Sequence, residues 1–226
     1  MKRKSAFRLP VGSGDVGAIS YPASNPIAGL LLAHGAGAPQ RHPYLVGTAE
    51  RLRTRGISVI TFDFEYADRG RKIPDRSGAL EACFAAAFTA ARARIGPDTP
   101  LFAGGKSMGG RIATQCAAER TIDPLGIVVF GYPLHPPGKP DQLRDAHLRR
   151  VRAPILFVQG TRDPFGGADE VSRLLPALTK VAPGTTVFEV NGGDHSHVVP
   201  KRHGTLQSAV DRAIADAVVA WVRRVL

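Results

Sequence analysis

Short apolar runs alternate with longer amphipathic segments along most of the chain. The apolar runs are mostly continuous rather than alternating, which is typical of strands buried on both faces of a parallel sheet. The runs predicted as strands are GAISYP, IAGLLLAHG, ISVITFDF, PLFAGG, GIVVFGYP, PILFVQG and TTVFEVNGG. Helices are predicted at 43–55, 78–95, 108–120, 168–181 and 205–225. This alternation predicts an α/β fold, with a doubly wound, mostly parallel sheet flanked by helices in a single domain spanning 1–226.

Composition is consistent with one globular domain. The 226 residues are 43% hydrophobic and 22% charged, ordinary values for a chain with one substantial core. No run of 18 apolar residues occurs, and no apolar segment follows the basic opening MKRKSAFRLP, so neither a membrane span nor a usual secretory signal is expected. The two cysteines, Cys83 and Cys116, lie in Ala-rich helical patterns. We expect a cytoplasmic protein in which both are buried free thiols, with a disulfide as the open alternative.

The chain is strongly basic, with 30 Lys and Arg against 19 Asp and Glu, a net charge of +11 and a pI near 10.3. Such a charge attracts nucleic acid or an anionic surface when it is concentrated on one face. Here the arginines are spread along the whole chain, and no basic stripe is interleaved with aromatic residues. We therefore interpret the charge as a compositional bias and expect no nucleic-acid partner. Nucleic-acid binding stays as an alternative reading of the charge.

The stretch LFAGGKSMGGR, residues 101–111, fits two different motifs. The letters GKS end a phosphate-binding P-loop, whereas GKSMG spells G-x-S-x-G, the sharp turn that presents a nucleophilic serine. A P-loop requires glycine where this chain has Pro100, which lacks the N–H needed to wrap phosphate. An apolar strand leads into the turn and a helical segment leads out, as the serine motif requires. Ser107 is therefore the predicted nucleophile.

A serine hydroxyl is a weak nucleophile until a base removes its proton. In the fold that uses G-x-S-x-G, the acid and then the histidine follow the serine, on loops after later strands. Asp163 lies just past the strand PILFVQG, and His195 lies in the loop after TTVFEV. Ser107, Asp163 and His195 are therefore the predicted catalytic residues. The alternatives are Asp169 or Asp194 as the acid and His197 as the base.

The transition state of acyl transfer needs two backbone donors for its oxyanion. The first is predicted to be the N–H of Met108, which follows the nucleophile. The second is predicted in the loop LLLAHGAGAP, residues 30–39, whose small residues let the backbone approach a substrate, and Ala36 is the chosen donor. His34 belongs to the same loop and is expected to shape it through hydrogen bonds, with substrate contact as a second role.

Further residues are predicted to line the substrate site. Arg69, Arg71 and Lys106 lie on the side of the sheet that carries the nucleophile and are candidates for attracting an acidic substrate, against the alternative of a solvated basic loop. The interval 132–153 between two strands is only 22 residues long and begins with the stiff segment YPLHPPGKP. It is too short for a lid domain. We expect an open site with His135 in one wall.

Together the motifs HGAGAP, GGKSMGGR, GYPLHPPGKP, QGTRDPFG and GGDHS resemble the dienelactone-hydrolase-like branch of the α/β-hydrolases. More closely, they resemble small bacterial predicted hydrolases related to animal testis-expressed and chromatin-complex hydrolase-like proteins. The resemblance extends from about residue 10 to the C-terminus. It implies an α/β-hydrolase fold with a Ser107, Asp163 and His195 triad and no metal or organic cofactor. True dienelactone hydrolases use a cysteine where this chain has Ser107, so their lactone substrate is not carried over.

The predicted function is therefore that of a serine hydrolase, which cleaves carboxylic esters or related small acyl compounds through an acyl-enzyme. The expected partner is a small-molecule acyl substrate. An acyltransferase or a perhydrolase would use the same triad, and some relatives of the family are non-catalytic interaction proteins. Both stay as alternatives.

Overall fold

The continuous apolar runs belong to one eight-stranded sheet. The computed structural model describes residues 3–12 and 14–226, and within them the strands are Ser5–Val11 (β1), Gly14–Tyr21 (β2), Ala28–Ala33 (β3), Ile57–Phe62 (β4), Leu101–Lys106 (β5), Ile127–Phe130 (β6), Ile155–Gly160 (β7) and Thr186–Val190 (β8). Their order across the sheet is β1-β2-β4-β3-β5-β6-β7-β8. Strands β3 to β8 are parallel, whereas β2 is antiparallel to both β1 and β4.

Helices pack on both faces of this sheet. They are Pro43–Arg53 (α1), Glu65–Asp68 (α2), Ser77–Ile95 (α3), Met108–Ala118 (α4), Ala168–Ser172 (α5), Leu175–Leu178 (α6) and Gln207–Val225 (α7), with 3₁₀ turns at Leu148–Arg150 and Lys201–His203. Successive residues of β3 enter different cores, because Leu31 packs with α3 and α4 while Leu30 packs with α1 and α7. A strand buried on both faces has no polar side, which explains its continuous apolar run. The predicted doubly wound, mostly parallel α/β sheet is confirmed.

Three elements differ from those predicted. Strand β1 alternates exposed and buried residues and pairs only with β2 at the edge of the sheet, so it lacks a continuous apolar run. Helix α2 is a single turn, too short for a periodic pattern. The helix predicted at 168–181 is instead split into α5 and α6. Pro176 has no N–H to donate to the carbonyl of Ser172, and its ring crowds that carbonyl, so α5 ends at Ser172.

The topology brings the loops that carry the predicted site to one edge of the sheet. Because β3, β5, β7 and β8 are parallel, their carboxyl ends and the loops that follow them meet at that edge. Between β6 and β7, all of which the structure describes, the chain contains a loop and the 3₁₀ turn Leu148–Arg150 but no lid domain. The loops at this edge therefore remain uncovered.

Two expectations from composition can also be compared with the structure. Cys83 and Cys116 are both buried and unpaired, so the free-thiol prediction is confirmed. Burial raises the pKa of each thiol to about 12. Within residues 3–12 and 14–226, no helix is both long enough and apolar enough to cross a membrane.

Candidate active site

Ser107 occupies a strained turn between β5 and α4. Its φ is +50° and its ψ is −114°, a combination that residues with a side chain rarely adopt. A Cβ atom at Gly105 would lie 2.4 Å from the carbonyl carbon of Gly109, and one at Gly109 would lie 2.6 Å from the carbonyl oxygen of His34. Both positions therefore require glycine, because the strand, the helix and the loop after β3 are in direct contact around the serine.

His195 lies between Ser107 and Asp163. Its Nε2 is 2.8 Å from the hydroxyl oxygen of Ser107, and its Nδ1 is 2.8 Å from Oδ2 of Asp163. An ionised carboxylate only accepts hydrogen bonds, so Nδ1 carries the proton and Nε2 is free to accept from the serine hydroxyl. The ring of Phe165 packs against the imidazole with 4.3 Å between centroids, which restricts its orientation. This arrangement can activate a serine nucleophile.

The carboxylate of Asp163 is fully buried but has three donors. In addition to His195, the side-chain amide of Gln159 donates to Oδ2 at 2.9 Å and the N–H of Phe165 donates to Oδ1 at 2.8 Å. These donors replace the water that a buried carboxylate loses, and they hold its oxygens in place. The acid is therefore oriented before any substrate arrives.

Gln159 connects Asp163 to the loop after β6, a role that the sequence analysis missed. Its side chain is buried in β7, where the amide oxygen accepts from the N–H of Tyr132 at 2.7 Å and the amide nitrogen donates to the carbonyl of Gly166 at 2.7 Å. The signal for this role was a polar residue near the end of the otherwise apolar run PILFVQG. A buried amide at that position needs several hydrogen bonds, and here it obtains them from the site.

The other candidate base, His197, has both ring nitrogens occupied elsewhere. Its Nε2 donates to the carbonyl of Val158 at 3.0 Å, and its Nδ1 accepts from the hydroxyl of Tyr44 at 2.8 Å. Burial, with the nearby charge of Lys106, lowers the pKa of His197 to about 3. It is therefore a neutral residue that ties its loop to β7 and α1.

The two alternative candidates for the acid, Asp194 and Asp169, have partners other than Nδ1 of His195. Asp194 accepts from the N–H groups of Ser196 and Val198 at 2.8 and 2.9 Å, which folds the loop that carries the histidine. Asp169 is exposed in α5 and forms an ion pair of 2.8 Å with Arg173. The structure places Asp163, rather than either of these, beside His195.

The loop after β3 is shaped by His34. Its Nδ1 donates to the carbonyl of Gly35 at 2.8 Å, and its Nε2 accepts from the N–H of Phe64 at 3.1 Å. Burial lowers the pKa of His34, consistent with a neutral ring that has one donor and one acceptor. The side chain is fixed inside the protein rather than in the wall of the cavity at Ser107, so the expected substrate contact is not made there.

Ala36 and Met108, the predicted oxyanion donors, both line the cavity that contains Ser107. Met108 is the first residue of α4, so its N–H has no acceptor within the helix. No residue in the described ranges accepts a hydrogen bond from the backbone N–H of either residue. Two unsatisfied amides beside the nucleophile can bind a developing oxyanion.

Residues 26–223 match the family model described as an alpha/beta hydrolase domain. The chain belongs to this family. The match includes the strands from β3 to β8 and every residue placed around Ser107 above. It confirms the resemblance to the α/β-hydrolases that the motifs indicated.

Solved structures similar to this alpha/beta hydrolase domain include a dienelactone hydrolase from Anabaena variabilis, with a TM-score of 0.73 and 20% identity over 98% of this chain and 97% of that one. A Xanthomonas campestris protein described as a serine hydrolase without lid has a TM-score of 0.75 and 20% identity over 100% and 96% of the two chains. An esterase from Pyrococcus furiosus has a TM-score of 0.76 and 13% identity over 98% and 92%. The likeness shows a shared fold over nearly the whole chain.

The cavity of this hydrolase domain at Ser107 has a volume of about 530 Å³. Its apolar part is formed by Leu45, Leu80, Met108, Pro133 and Phe165. Its charged side chains are those of Asp75, Lys106, Arg111 and Arg144. The cavity is large enough for a small ligand with both an apolar and a charged portion.

Besides His34, three of the predicted substrate-binding residues do not line this cavity. Arg69 and Arg71 form ion pairs of 2.7 Å with Glu65 and Asp75, so their charges are already matched. His135 is buried behind the wall, where Nδ1 lies 2.8 Å from the carbonyl oxygen of Pro136 and Nε2 lies 3.2 Å from Glu170. The part of the proline-rich loop that reaches the cavity is Pro133 instead.

Lys106 lines the cavity, but its ammonium group is bound to the protein. Its Nζ donates to the backbone carbonyl of His195 at 2.6 Å. Burial lowers the pKa of Lys106 to about 8, although the charges of Asp163 and Asp194 act in the opposite direction. The side chain is therefore placed to hold the loop that carries His195 rather than to reach out to a substrate.

Proposed function

We propose that this alpha/beta hydrolase is a serine hydrolase that cleaves carboxylic esters or related small acyl substrates through an acyl-enzyme. Family membership supports hydrolysis as the reaction class. The observation that carries the proposal is the continuous hydrogen-bonded line from Ser107 through His195 to Asp163, with 2.8 Å at each step. Two unsatisfied backbone amides beside that line supply the second element that acyl transfer requires.

In the first half of the reaction, the Oγ of Ser107 attacks the carbonyl carbon while Nε2 of His195 takes the hydroxyl proton. Asp163 accepts from Nδ1 and stabilises the imidazolium that forms. The carbonyl oxygen becomes an oxyanion, which the N–H groups of Met108 and Ala36 bind. The N-terminus of α4 adds positive potential at the same place.

The tetrahedral intermediate then collapses. The bond between carbon and the leaving oxygen breaks, and His195 returns its proton to that oxygen, which releases the alcohol and leaves the acyl group on Ser107. In the second half, His195 removes a proton from water, the resulting hydroxide attacks the acyl carbon, and the proton passes to Ser107 as the acid departs. The histidine and the serine end in their starting states.

A fluorophosphonate probe tests the proposal, because it modifies only serines that a neighbouring base activates. The wild-type protein should be labelled and should hydrolyse phenyl acetate, whereas Ser107→Ala should do neither while keeping its thermal unfolding transition. Ser196→Ala is the matched control, since Ser196 is an exposed serine that lines the same cavity. Labelling that persists in Ser107→Ala, or its absence in the wild type, would contradict the assignment.

A further inference from the structure

Two arginines in the active-site cavity form no ion pair with any carboxylate of the described residues. The cavity contains four charged side chains. Asp75 is matched by Arg71 outside the cavity, at 2.7 Å, and Lys106 is bound to the carbonyl of His195. Arg111 and Arg144 remain. Because they place two positive charges in the cavity that contains Ser107, they bear on which substrates the site can accept.

Arg111 lies one turn into α4, where its backbone N–H donates to the carbonyl of Ser107 at 3.0 Å. Its half-buried guanidinium makes one hydrogen bond, of 3.3 Å, to the neutral amide of Gln115. The nearby carboxylate of Glu81 instead accepts from the hydroxyl of Ser77 at 2.7 Å. Within the described residues, no carboxylate lies within ion-pair distance of Arg111. Four of its N–H donors are thus left for a ligand.

The backbone of Arg144 is held by hydrogen bonds, whereas its guanidinium has no partner among the described residues. Its N–H donates to the carbonyl of Leu134 at 2.8 Å, and its own carbonyl accepts from the buried hydroxyl of Tyr132 at 2.6 Å. Its guanidinium is half-buried and makes no hydrogen bond or ion pair with any residue in the described ranges. Both arginines line the same cavity. Burial lowers the pKa of Arg111, and the charge of Arg144 acts in the same direction, whereas the charges of Tyr132 and Glu81 act in the opposite one.

Other half-buried arginines of this chain all have acceptors. Arg51, Arg53 and Arg55 form ion pairs with Asp211, Glu50 and Asp216. Arg92 donates to the carbonyl of Thr99 at 3.1 Å. Arg144 is thus the one half-buried arginine of the described residues without an acceptor, and Arg111, like Arg92, has only a neutral one. Because partial burial of an unmatched charge costs free energy, the position of Arg111 and Arg144 in the wall of one cavity points to a ligand as the missing partner.

We propose that Arg111 and Arg144 bind a doubly charged anionic group of the substrate, with a phosphate monoester as the best match. A phosphate monoester carries close to two negative charges at neutral pH, which balances the two guanidiniums. Its oxygens fit the planar forks of two arginines. A carboxylate would neutralise only one of the charges. The substrate class is then a small acyl ester that carries phosphate, and this choice rests on the proposed function.

The size of the cavity is consistent with one molecule reaching both places. The same space, of about 530 Å³, is bounded by Ser107, by both arginines and by the apolar side chains of Leu80, Met108 and Phe165. An apolar portion between an ester and a phosphate would contact these side chains. The arginines would fix the substrate while the reacting carbonyl lies at the serine.

Binding to the Ser107→Ala protein tests the subsite without any requirement for catalysis. Isothermal titration with phenyl phosphate, benzoate and benzamide compares a dianion, a monoanion and a neutral molecule of similar shape. We expect affinity to decrease in that order, and Arg111→Gln or Arg144→Gln to weaken phenyl phosphate roughly tenfold or more, since hydrogen bonds to charged groups are strong. Arg149→Gln, at an exposed position outside the cavity, is the matched control and should leave affinity unchanged. Arg111→Lys, which keeps the charge, replaces Arg111→Gln if that variant does not fold.

The wild-type protein supplies a second readout, because phenyl phosphate should inhibit phenyl acetate hydrolysis competitively, and less strongly at high salt. Equal binding of phenyl phosphate and benzamide would overturn the subsite, even where Ser107-dependent hydrolysis is intact. Tighter binding of benzoate than of phenyl phosphate would overturn the assignment to a dianion. Arginine-dependent binding of phenyl phosphate by a protein that shows no serine reactivity would support the subsite and contradict the proposed hydrolase instead.

Discussion

The ammonium group of Lys106 lies 2.6 Å from the backbone carbonyl oxygen of His195 and donates a hydrogen bond to it. The two residues are 89 positions apart, since Lys106 is the last residue of β5 and His195 lies in the loop after β8. Lys106 immediately precedes Ser107, so this single bond connects the turn that presents the nucleophile to the loop that carries the base. It therefore contributes to the separation of the two reacting groups, together with the bonds that hold His195 and His197.

Replacing Lys106 by methionine should therefore reduce kcat with little change in KM for a neutral ester. Methionine keeps an apolar stem of similar length but removes the donor, which frees the loop of His195. Because displacements of about 1 Å in a catalytic group cost up to roughly 10²-fold, we expect kcat to fall about tenfold or more. Lys106→Arg retains a donor and should recover part of the loss. A raised KM with an unchanged kcat would mean that Lys106 contacts the substrate instead.

The same lysine should make stability depend on pH in the alkaline range. Its pKa is lowered by burial to about 8 from the ordinary value of 10.5, so between these values the unfolded chain holds a proton that the folded chain has released. Stability therefore rises as pH increases through this window, by an amount on the order of 3 kcal/mol for this group alone.

Urea unfolding of the wild type and Lys106→Met at intervals from pH 7 to pH 10.5 measures this effect. Other titrating groups contribute equally to both proteins, so the difference between them isolates Lys106. At pH 7 the wild type buries the charge of Lys106 and the methionine variant does not, which favours the stability of the variant. This advantage in the free energy of unfolding should shrink as pH rises, because the lysine of the wild type loses its charge. A difference that is independent of pH would show that the folded protein does not perturb the lysine.

Replacement of the two neighbouring histidines should have different consequences. His195→Ala removes the general base and should lower kcat by roughly 10²–10⁴-fold. His197→Ala leaves the hydroxyl of Tyr44 and the carbonyl of Val158 without a partner, so its main effect should be a loss of stability of about 1–3 kcal/mol. Steady-state kinetics with phenyl acetate and urea unfolding of both variants separate these effects. Loss of catalysis in His197→Ala alone would reverse the assignment.

The parts of the site that the sequence predicted are those fixed by local motifs and chain order. The turn at Ser107 follows from glycines at set spacings, and Asp163 and His195 follow from their positions after apolar strands. The parallel strands were predicted because their apolar runs are continuous, and the longer helices because their apolar residues recur periodically. Edge strand β1 and the single turn α2 leave no such pattern, which is why they were missed.

The substrate side of the site could not be read in the same way, because it depends on where long side chains end. Arg69 and Arg71 follow a strand at the correct edge, yet neither lines the cavity, and each forms an ion pair, with Glu65 and Asp75 respectively. Arg111 reaches the cavity from α4 and Arg144 reaches it from the loop after β6. No short motif links two residues that far apart, and only the fold shows which arginines lack a partner.

The absence of a lid between β6 and β7 should limit the length of acyl chain that the site can use. Each methylene buried in the cavity contributes about 0.8 kcal/mol, or about fourfold, to transition-state binding. A cavity of about 530 Å³ is shared with the leaving group, and beyond it no element between β6 and β7, a stretch that the structure describes throughout, covers an apolar tail. With 4-nitrophenyl esters from acetate to palmitate, kcat/KM should therefore rise over the first few carbons and then stop rising or fall.

The rate with tributyrin should also saturate smoothly, because no lid has to open at a lipid surface. A steep increase above the solubility limit of tributyrin, or a preference for palmitate, would require a covering element that the chain between Phe130 and Ile155 does not provide.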